Sequence, residues 1–578
     1  MRMDRRRALK WLGLGAVSPA ALSPVVASPS EAPSSFRHGV AAGDPTPSGM
    51  IIWTRVTPRP NAGTRAVMVA WTVAEDPDFR RVAAHGVAFA GPERDFTVKI
   101  DVGAGRPGAD HSVSMLRPGT EYWYRFRVGD EASPPGRART LPEGPTADAV
   151  LAVVCCQHYQ YGLFNAYDAI ARLPRLDAVV HLGDYIYEDA ADASAHAEAL
   201  GDRLGRFVEP RHATVTLADY RARHAVYKTD PDLQAAHARA AWICAWDDHE
   251  TANDSWFGGA EKHHPATDGR WSDRKAAALR AYYEWMPIRE PAPGRAIESI
   301  NRTVQFGDLA SLIMLETRLV GRSHQLDYQR DMTFKAGVDG RPVPDIEGFM
   351  ARLDDPSREV LGARQEAWLA GELSASLAAG RPWQVLGSGV VMGRVIGPDL
   401  KGMLGATLSE AVLDVLPEDQ RTRASTMADL FAYGVPYDLD DWDGYPAARE
   451  RLYAICRAAG ARPVVISGDS HAFWANDLHD AEARPVGVEF GATSITSPGI
   501  CDIAPVLPVN QLIEDANPHV KFCDHGAKGF VLLTLTREAA VGELMAVSTI
   551  QAKPYGVRAL KRFRVDAKGG GLRELTEV

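Results

Sequence analysis

V-H-L-G-D-Y-I-Y-E, at residues 180–188, is the stretch on which the fold turns. An apolar run, D-A-V-V-H-L at 177–182, reaches Gly183, and a carboxylate, Asp184, follows at once. The same arrangement recurs. W-I-C-A at 242–245 leads into W-D-D-H-E at 246–250, and P-V-V-I at 463–466 leads into S-G-D-S-H at 467–471. A fourth run, V-L-A-V-V at 150–154, ends at Cys155-Cys156-Gln157. Short apolar runs rich in β-branched residues predict buried strands. Four strands that each deliver metal-ligand side chains from the C-terminal end predict a catalytic metal centre at the edge of an α/β sheet.

The chain has 578 residues, enough for more than one domain and a large core. Its formal net charge is −10. Arg2, Arg5, Arg6, Arg7 and Lys10 stand against Asp4 in the first 27 residues, so the rest of the chain is near −14. With no basic stripe, no specific nucleic-acid binding is expected. Residues 1–27 are expected to be a twin-arginine signal peptide, with Arg5-Arg6-Arg7, a moderately apolar stretch from Trp11, and Val25-Val26-Ala27 before the cleavage site. The expected partner is the twin-arginine export machinery, and the expected location is periplasmic or secreted. Replacing Arg5, Arg6 and Arg7 together by Lys should retain the protein in the cytoplasm; continued export would contradict this reading. Pro19 and Pro24 interrupt the apolar stretch and no other long one exists, so no stable membrane anchor is expected.

Residues 36–145 read as all-β, with strands at 50–57, 66–73, 95–102 and 122–128 separated by Gly, Pro and Asp turns. Leu116-Arg-Pro-Gly-Thr-Glu-Tyr122 resembles the tyrosine corner of fibronectin-III and immunoglobulin-like β-sandwiches. From 148 to 550 strands alternate with helical stretches, including 164–173, 272–286 and 447–459, which is α/β (α+β layered) architecture. Residues 551–578 read as a C-terminal tail. The six cysteines match no disulfide framework, although Cys501 and Cys523 are a candidate pair.

Asp184 can bridge two cations with its two oxygens, or cap a following helix. Tyr187 is a buried hydrogen-bonding phenol or, as phenolate, a hard ligand for a trivalent ion such as Fe³⁺. In D-D-H-E adjacent side chains diverge, so Asp248 is assigned to metal and His249 to an outer position or to acid/base work near the leaving oxygen. Asn253 offers a neutral oxygen nearby. Asp469 and His471 are spaced i, i+2 and share a side of extended backbone. Cys156 is a small core residue or a ligand. Arg318 and Arg289 are candidates to clamp phosphate, or ordinary ion-pair residues.

These motifs together resemble the bacterial alkaline phosphatase D (PhoD-like) family of the calcineurin-like metallophosphoesterases. The resemblance spans residues 36–550. It includes F-R-H-G-V-A-A-G-D-P (36–45), C-Q (156–157), H-L-G-D-Y-I-Y-E (181–188) and W-D-D-H-E-T-A-N-D (246–254). It continues through A-Y-Y-E-W-M-P-I-R (281–289), E-T-R (316–318), the W-D-G-Y-P-A region (440–447), G-D-S-H-A-F-W-A-N-D-L (468–478) and S-I-T-S-P-G (494–499). It implies a metallophosphoesterase sandwich preceded by the small β domain. It also implies an Fe³⁺ site beside Ca²⁺ ions. By motif, Cys156, Asp184 and Tyr187 are the implied iron ligands, and Asp248, Asn253, Asp469 and His471 complete the implied cluster. His249 and Arg318 are the implied catalytic residues. Cys155 departs from the small polar residue usual there and leaves the thiolate position ambiguous by one.

The implied reaction is hydrolysis of phosphate monoesters and/or diesters, with a hydroxide held by the cations attacking phosphorus. The alternatives are a phospholipase-type phosphodiesterase, for which an exposed apolar rim would speak, and an extracellular binding protein working through its β domain. An intact ligand set disfavours the latter.

Overall fold

In the computed structural model the four apolar runs are strands, but they belong to two sheets. Asp148–Val154, Ala178–His181 and Ala241–Cys244 pair in parallel within a ten-stranded sheet. Val464–Ser467 lies in a seven-stranded sheet, parallel to both Trp383–Gly387 and Pro485–Gly491. The structure describes residues 35–58, 65–103, 115–337, 340–405, 418–503, 508–567 and 574–578. The signal peptide expected at 1–27 lies outside them.

The sheets face one another because their strands are apolar on both sides. Val153, Val180, Ile243 and Leu533 of the first interlock with Leu312, Met314, Val385 and Ile466 of the second in one core. The opposite face of the first sheet, with Val154, Val179 and Trp242, packs on Ile170, Leu233 and Leu279 from helices Asn165–Ala171, Pro231–Arg239 and Trp271–Trp285. Ile313, Leu386 and Val465 back the second sheet against Leu369, Leu373, Leu452 and Cys456 of helices Gly362–Ala378 and Pro446–Ala459. The result is a helix–sheet–sheet–helix α/β layering. Each fully buried Val, Leu or Ile contributes about 1.5–3 kcal/mol. The two sheets meet at their ends, where Cys155 forms a bridge with Ser494. That junction brings the C-terminal ends of all four runs together.

The N-terminal strands divide between two sheets. Val67–Ala74, Val82–Ala90, Glu121–Val128, Glu131–Ala132 and Gly136–Arg139 form a separate five-stranded sheet. Val40–Thr46, Gly49–Arg55 and Thr97–Val102 instead extend the ten-stranded sheet, through Ala42 opposite Ala241 and Gly43 opposite Trp242. Between the two groups lies a core that includes Ile52, Val69, Trp71, Tyr122 and Phe126. The Tyr122 hydroxyl accepts a hydrogen bond from the Arg117 N–H at 2.9 Å, the contact expected of a tyrosine corner. Arg289, one of the two candidate phosphate clamps, holds two strands of the ten-stranded sheet, Val40–Thr46 and Thr97–Val102. It pairs with Asp101 at 2.7 Å and donates to the Asp44 carbonyl.

Two expectations are corrected. Residues 557–566 are not a tail but a strand paired with Ala539–Val547 near the edge of the ten-stranded sheet. Its sequence, V-R-A-L-K-R-F-R-V-D, turns mainly Phe563 and Val565 inward; basic side chains cover the rest, as on many sheet margins. Cys501 and Cys523 are both free thiols. Among the described residues no helix is long and apolar enough to cross a membrane.

Candidate metal centre

Five residues at the strand ends hold left-handed backbone that L-residues rarely adopt: Cys156 (φ 56°), Asp184 (57°), Asp254 (53°), Asp469 (64°) and His471 (55°). They are half of the ten such non-glycine positions described, which marks this junction as a site held against local strain. Gly183 shows how tightly the loops meet: a Cβ there would lie 2.4 Å from the Asp247 backbone nitrogen. Glu250 fastens the same contact. Its carboxylate accepts from the N–H groups of Asp184 (3.1 Å), Tyr185 (2.5 Å) and Asp247 (2.8 Å).

Potential ligand atoms converge in overlapping groups. Cys156, Asp184 and His471 form one, Asp184, Asp247, Asp248 and Asp469 another, and Asp248, Asp254 and Asp440 a third; within each the atoms lie within 4.8 Å of one another. His249 joins Asp184 and Asp248 in a further group. Tyr187 donates from its hydroxyl to Asp184 Oδ2 at 2.9 Å and lies 3.3 Å from His471 Nε2. The Ser497 hydroxyl approaches the phenol oxygen at 2.7 Å. His471 Nδ1 is 2.8 Å from the Pro498 carbonyl, which makes Nδ1 the protonated nitrogen and leaves the Nε2 lone pair facing the cluster. Burial and Lys528 lower the His471 pKa to about 4, so the ring is neutral at pH 7.

The cysteine ambiguity resolves on geometry. Cys155 Sγ turns between the sheets toward the Ala492 carbonyl at 3.4 Å, whereas Cys156 stands with Asp184 and His471. Asn253, expected as a ligand, donates through Nδ2 to Glu261 at 2.7 Å, which leaves its Oδ1 for other partners, and its neighbour Asp254 stands beside Asp248 and Asp440. Arg318 is wholly buried and faces carboxylates rather than solvent. It grips Asp247 in bidentate fashion at 2.6 and 2.9 Å and reaches Asp440 at 2.7 Å. Arg322 also pairs with Asp440, at 2.5 Å. His249 Nδ1 is 2.6 Å from Glu188, and its ring packs on Tyr187 with centroids 4.1 Å apart and planes tilted by 35°.

Carboxylates dominate the electrostatics of the junction. Among the described residues, Arg318 and Arg322 are the guanidinium groups paired with the carboxylates of this cluster, which includes Asp184, Asp247, Asp248, Asp254, Asp440 and Asp469. Burial, then neighbouring carboxylates, push Asp469 well above the ordinary range and Asp254 up to about 8. Burial, with the charges of Asp248, Asp247 and Glu250, also raises Asp184 far above it. Cys156 and Tyr187 rise for the same leading reason. Asp248 is held low against its burial by Arg318 and His249. Asp184 Oδ1 is buried without any hydrogen-bond partner. A buried carboxylate oxygen left bare is costly unless something cationic meets it. Thiolate, phenolate, imidazole and carboxylate donors suit one borderline and several hard cations.

Glu188, Glu250, Asp254, Asp440 and Ser497 were not singled out by sequence reasoning. All five lie inside quoted motifs, but nothing in a linear pattern separates a ligand from the residue that holds it.

A layered α/β fold whose two sheets meet at a buried, carboxylate-rich junction of candidate metal ligands is the class of architecture found here. A family model for the PhoD-like phosphatases matches residues 151–544, and one for the N-terminal domain of PhoD-like phosphatases matches residues 20–142. The chain therefore belongs to the PhoD-like phosphatase family and is a phosphoric ester hydrolase. It is 33% identical over 539 residues to alkaline phosphatase D of Bacillus subtilis (strain 168), covering 91% of this chain and 80% of that one. A solved structure of PhoD superposes with a TM-score of 0.73 at 29% identity, covering 95% of this chain and 94% of the other.

Proposed function

We propose that this phosphatase is metal-dependent, exported, and hydrolyses phosphate monoesters and/or diesters at the junction centred on Asp184. The observation that carries the reading is the bare, buried Asp184 Oδ1 among carboxylates that outnumber their guanidinium partners. Cys156, Asp184, Tyr187 and His471 would hold Fe³⁺; Asp184, Asp248, Asp469 and the side-chain oxygen of Asn253 would hold Ca²⁺, with Asp254 and Asp440 available beside them. Bound cations would neutralise charge on the phosphoryl oxygens and make the attacking water more acidic. The first 27 residues direct export, and the N-terminal layers form a fibronectin-III/Ig-like sandwich whose second sheet continues into the catalytic one.

The protein's own groups supply the rest. His249 protonates the leaving oxygen. Burial opposes its charged form, but Glu188, Asp248 and Asp184 raise its pKa well above the usual value, so the ring carries a proton at neutral pH. Glu188 at Nδ1 holds the ring so that Nε2 is the nitrogen that gives the proton. Arg318 orients Asp247 and Asp440 rather than clamping phosphate, because its donors are engaged in the protein interior.

The thiolate assignment has a direct test. Cys156→Ala should lose bound iron and the visible phenolate-to-iron absorption, while Cys155→Ala should keep both. The reverse pattern would move the ligand by one residue, and a colourless, iron-free wild type that is fully active would exclude iron.

A further inference from the structure

Aromatic rings climb from the metal centre to the surface in an unbroken row. Tyr187, 3% exposed, packs against His158 with ring centroids 4.6 Å apart and planes tilted by 42°. His158, 8% exposed, meets the Tyr161 ring edge-on at 4.6 Å, and Tyr161 faces His196 at 5.8 Å. Tyr161 is half-buried and His196 is exposed. On the other side of Tyr187 stands His249, so the row begins at the proposed proton donor.

The row is not simply core. Tyr159, two residues before Tyr161, packs against the cluster behind the ten-stranded sheet, whereas Tyr161 is outside that cluster. Tyr161 is fixed nonetheless. Its carbonyl accepts from Gln551 Nε2 at 2.8 Å, and its hydroxyl lies 3.3 Å from Ser194, the N-cap of helix Ala195–Leu204 that carries His196. His158 is anchored by its backbone: its N–H donates to Ser497 and its carbonyl accepts from Thr496. Its Nδ1 is buried without a partner. Rings held rigidly on the way from the site to the surface, with Tyr161 half-buried and His196 exposed, suit a planar group rather than a second phosphate.

We propose that Tyr161, backed by His158 and flanked by His196, is the subsite for the leaving alcohol, and that it favours phosphate esters whose alcohol carries an aromatic or heterocyclic ring. The proposal rests on the phosphatase reading above. Tyr161 is a specificity-determining residue here; proton transfer stays with His249.

The test compares kcat/KM for phenyl phosphate with that for glycerol phosphate. The phenyl-to-glycerol ratio should fall about tenfold in Tyr161→Ala, the scale of one lost stacking contact, and be kept in Tyr161→Phe. An unchanged ratio in Tyr161→Ala, or the same loss in Tyr161→Phe, would overturn it. So would a fall in the ratio for Trp256→Ala alone, since Trp256 stacks on His324 elsewhere, at 4.1 Å. A measurement free of variants is competitive inhibition of the wild type. Phenylphosphonate should bind about tenfold tighter than methylphosphonate, and equal binding would count against the subsite. Failure of the wild type to hydrolyse either ester would contradict the functional reading instead.

Discussion

Asp184→Asn is expected to abolish turnover and leave the fold standing. The substitution keeps the size of the side chain, and asparagine tolerates the left-handed backbone found at φ 57°. The hydrogen bond from Tyr187 to Oδ2 can be kept by the amide oxygen. What disappears is the negative charge and the bare Oδ1. Metal assistance supplies several kcal/mol of transition-state stabilisation, so its loss should cost about 10³-fold or more in kcat. Stability without metal should not fall and is expected to rise, because a buried carboxylate facing Asp247, Asp248 and Glu250 has been neutralised. Thermal unfolding with and without added cations separates the two effects: the wild type gains stability on metal addition and the variant does not. His471→Ala should behave alike in activity. Near-normal turnover in Asp184→Asn would sink the metal-site account.

The second large effect is on stability. Arg318→Met should cost about 3–5 kcal/mol, the usual consequence of removing one partner from a buried ion-pair network. Arg318 is fully buried and engages Asp247 and Asp440 directly, with Asp248 at 3.9 Å and Asp469 at 3.7 Å. Its loss would leave these carboxylates with Arg322 as the remaining guanidinium. The urea midpoint measured without metal should fall accordingly, and Arg318→Lys should recover only part of it, since an ammonium cannot make the bidentate grip. If Arg318 were instead a phosphate clamp, the midpoint would stay put and the change would appear in KM alone.

Much of this architecture is legible in the chain because its signals are local. Apolar runs ending in D or H name the strands and the edge they share, and Gly183 before Asp184 marks a tight loop. The C-Q, G-D-Y-I-Y-E and D-D-H-E patterns likewise point to Cys156, Asp184, Tyr187 and Asp248. Contacts made across sequence are not legible in this way. Nothing at residues 242–245 and 463–466 says that their strands belong to different sheets, since both are apolar on both faces. Arg318 and Arg289 look alike as arginines after apolar segments. Only the packing places one among buried carboxylates and the other on Asp44 and Asp101. Asp254, next to Asn253, meets Asp248 and Asp440 from a left-handed turn that no linear pattern announces. The strand at 557–566 is hidden because its exposed margin is covered by Arg and Lys.

Hydrolysis is expected to require cations at the Asp184 junction. This requirement is tested most directly by following turnover of one phosphate ester against bound metal content as the purified protein is treated with excess EGTA and then reloaded. Activity should vanish as calcium leaves while iron stays bound, and should return with Ca²⁺ but poorly with Mg²⁺, whose octahedral shell is small and rigid. Full turnover by protein stripped of both metals would contradict the account.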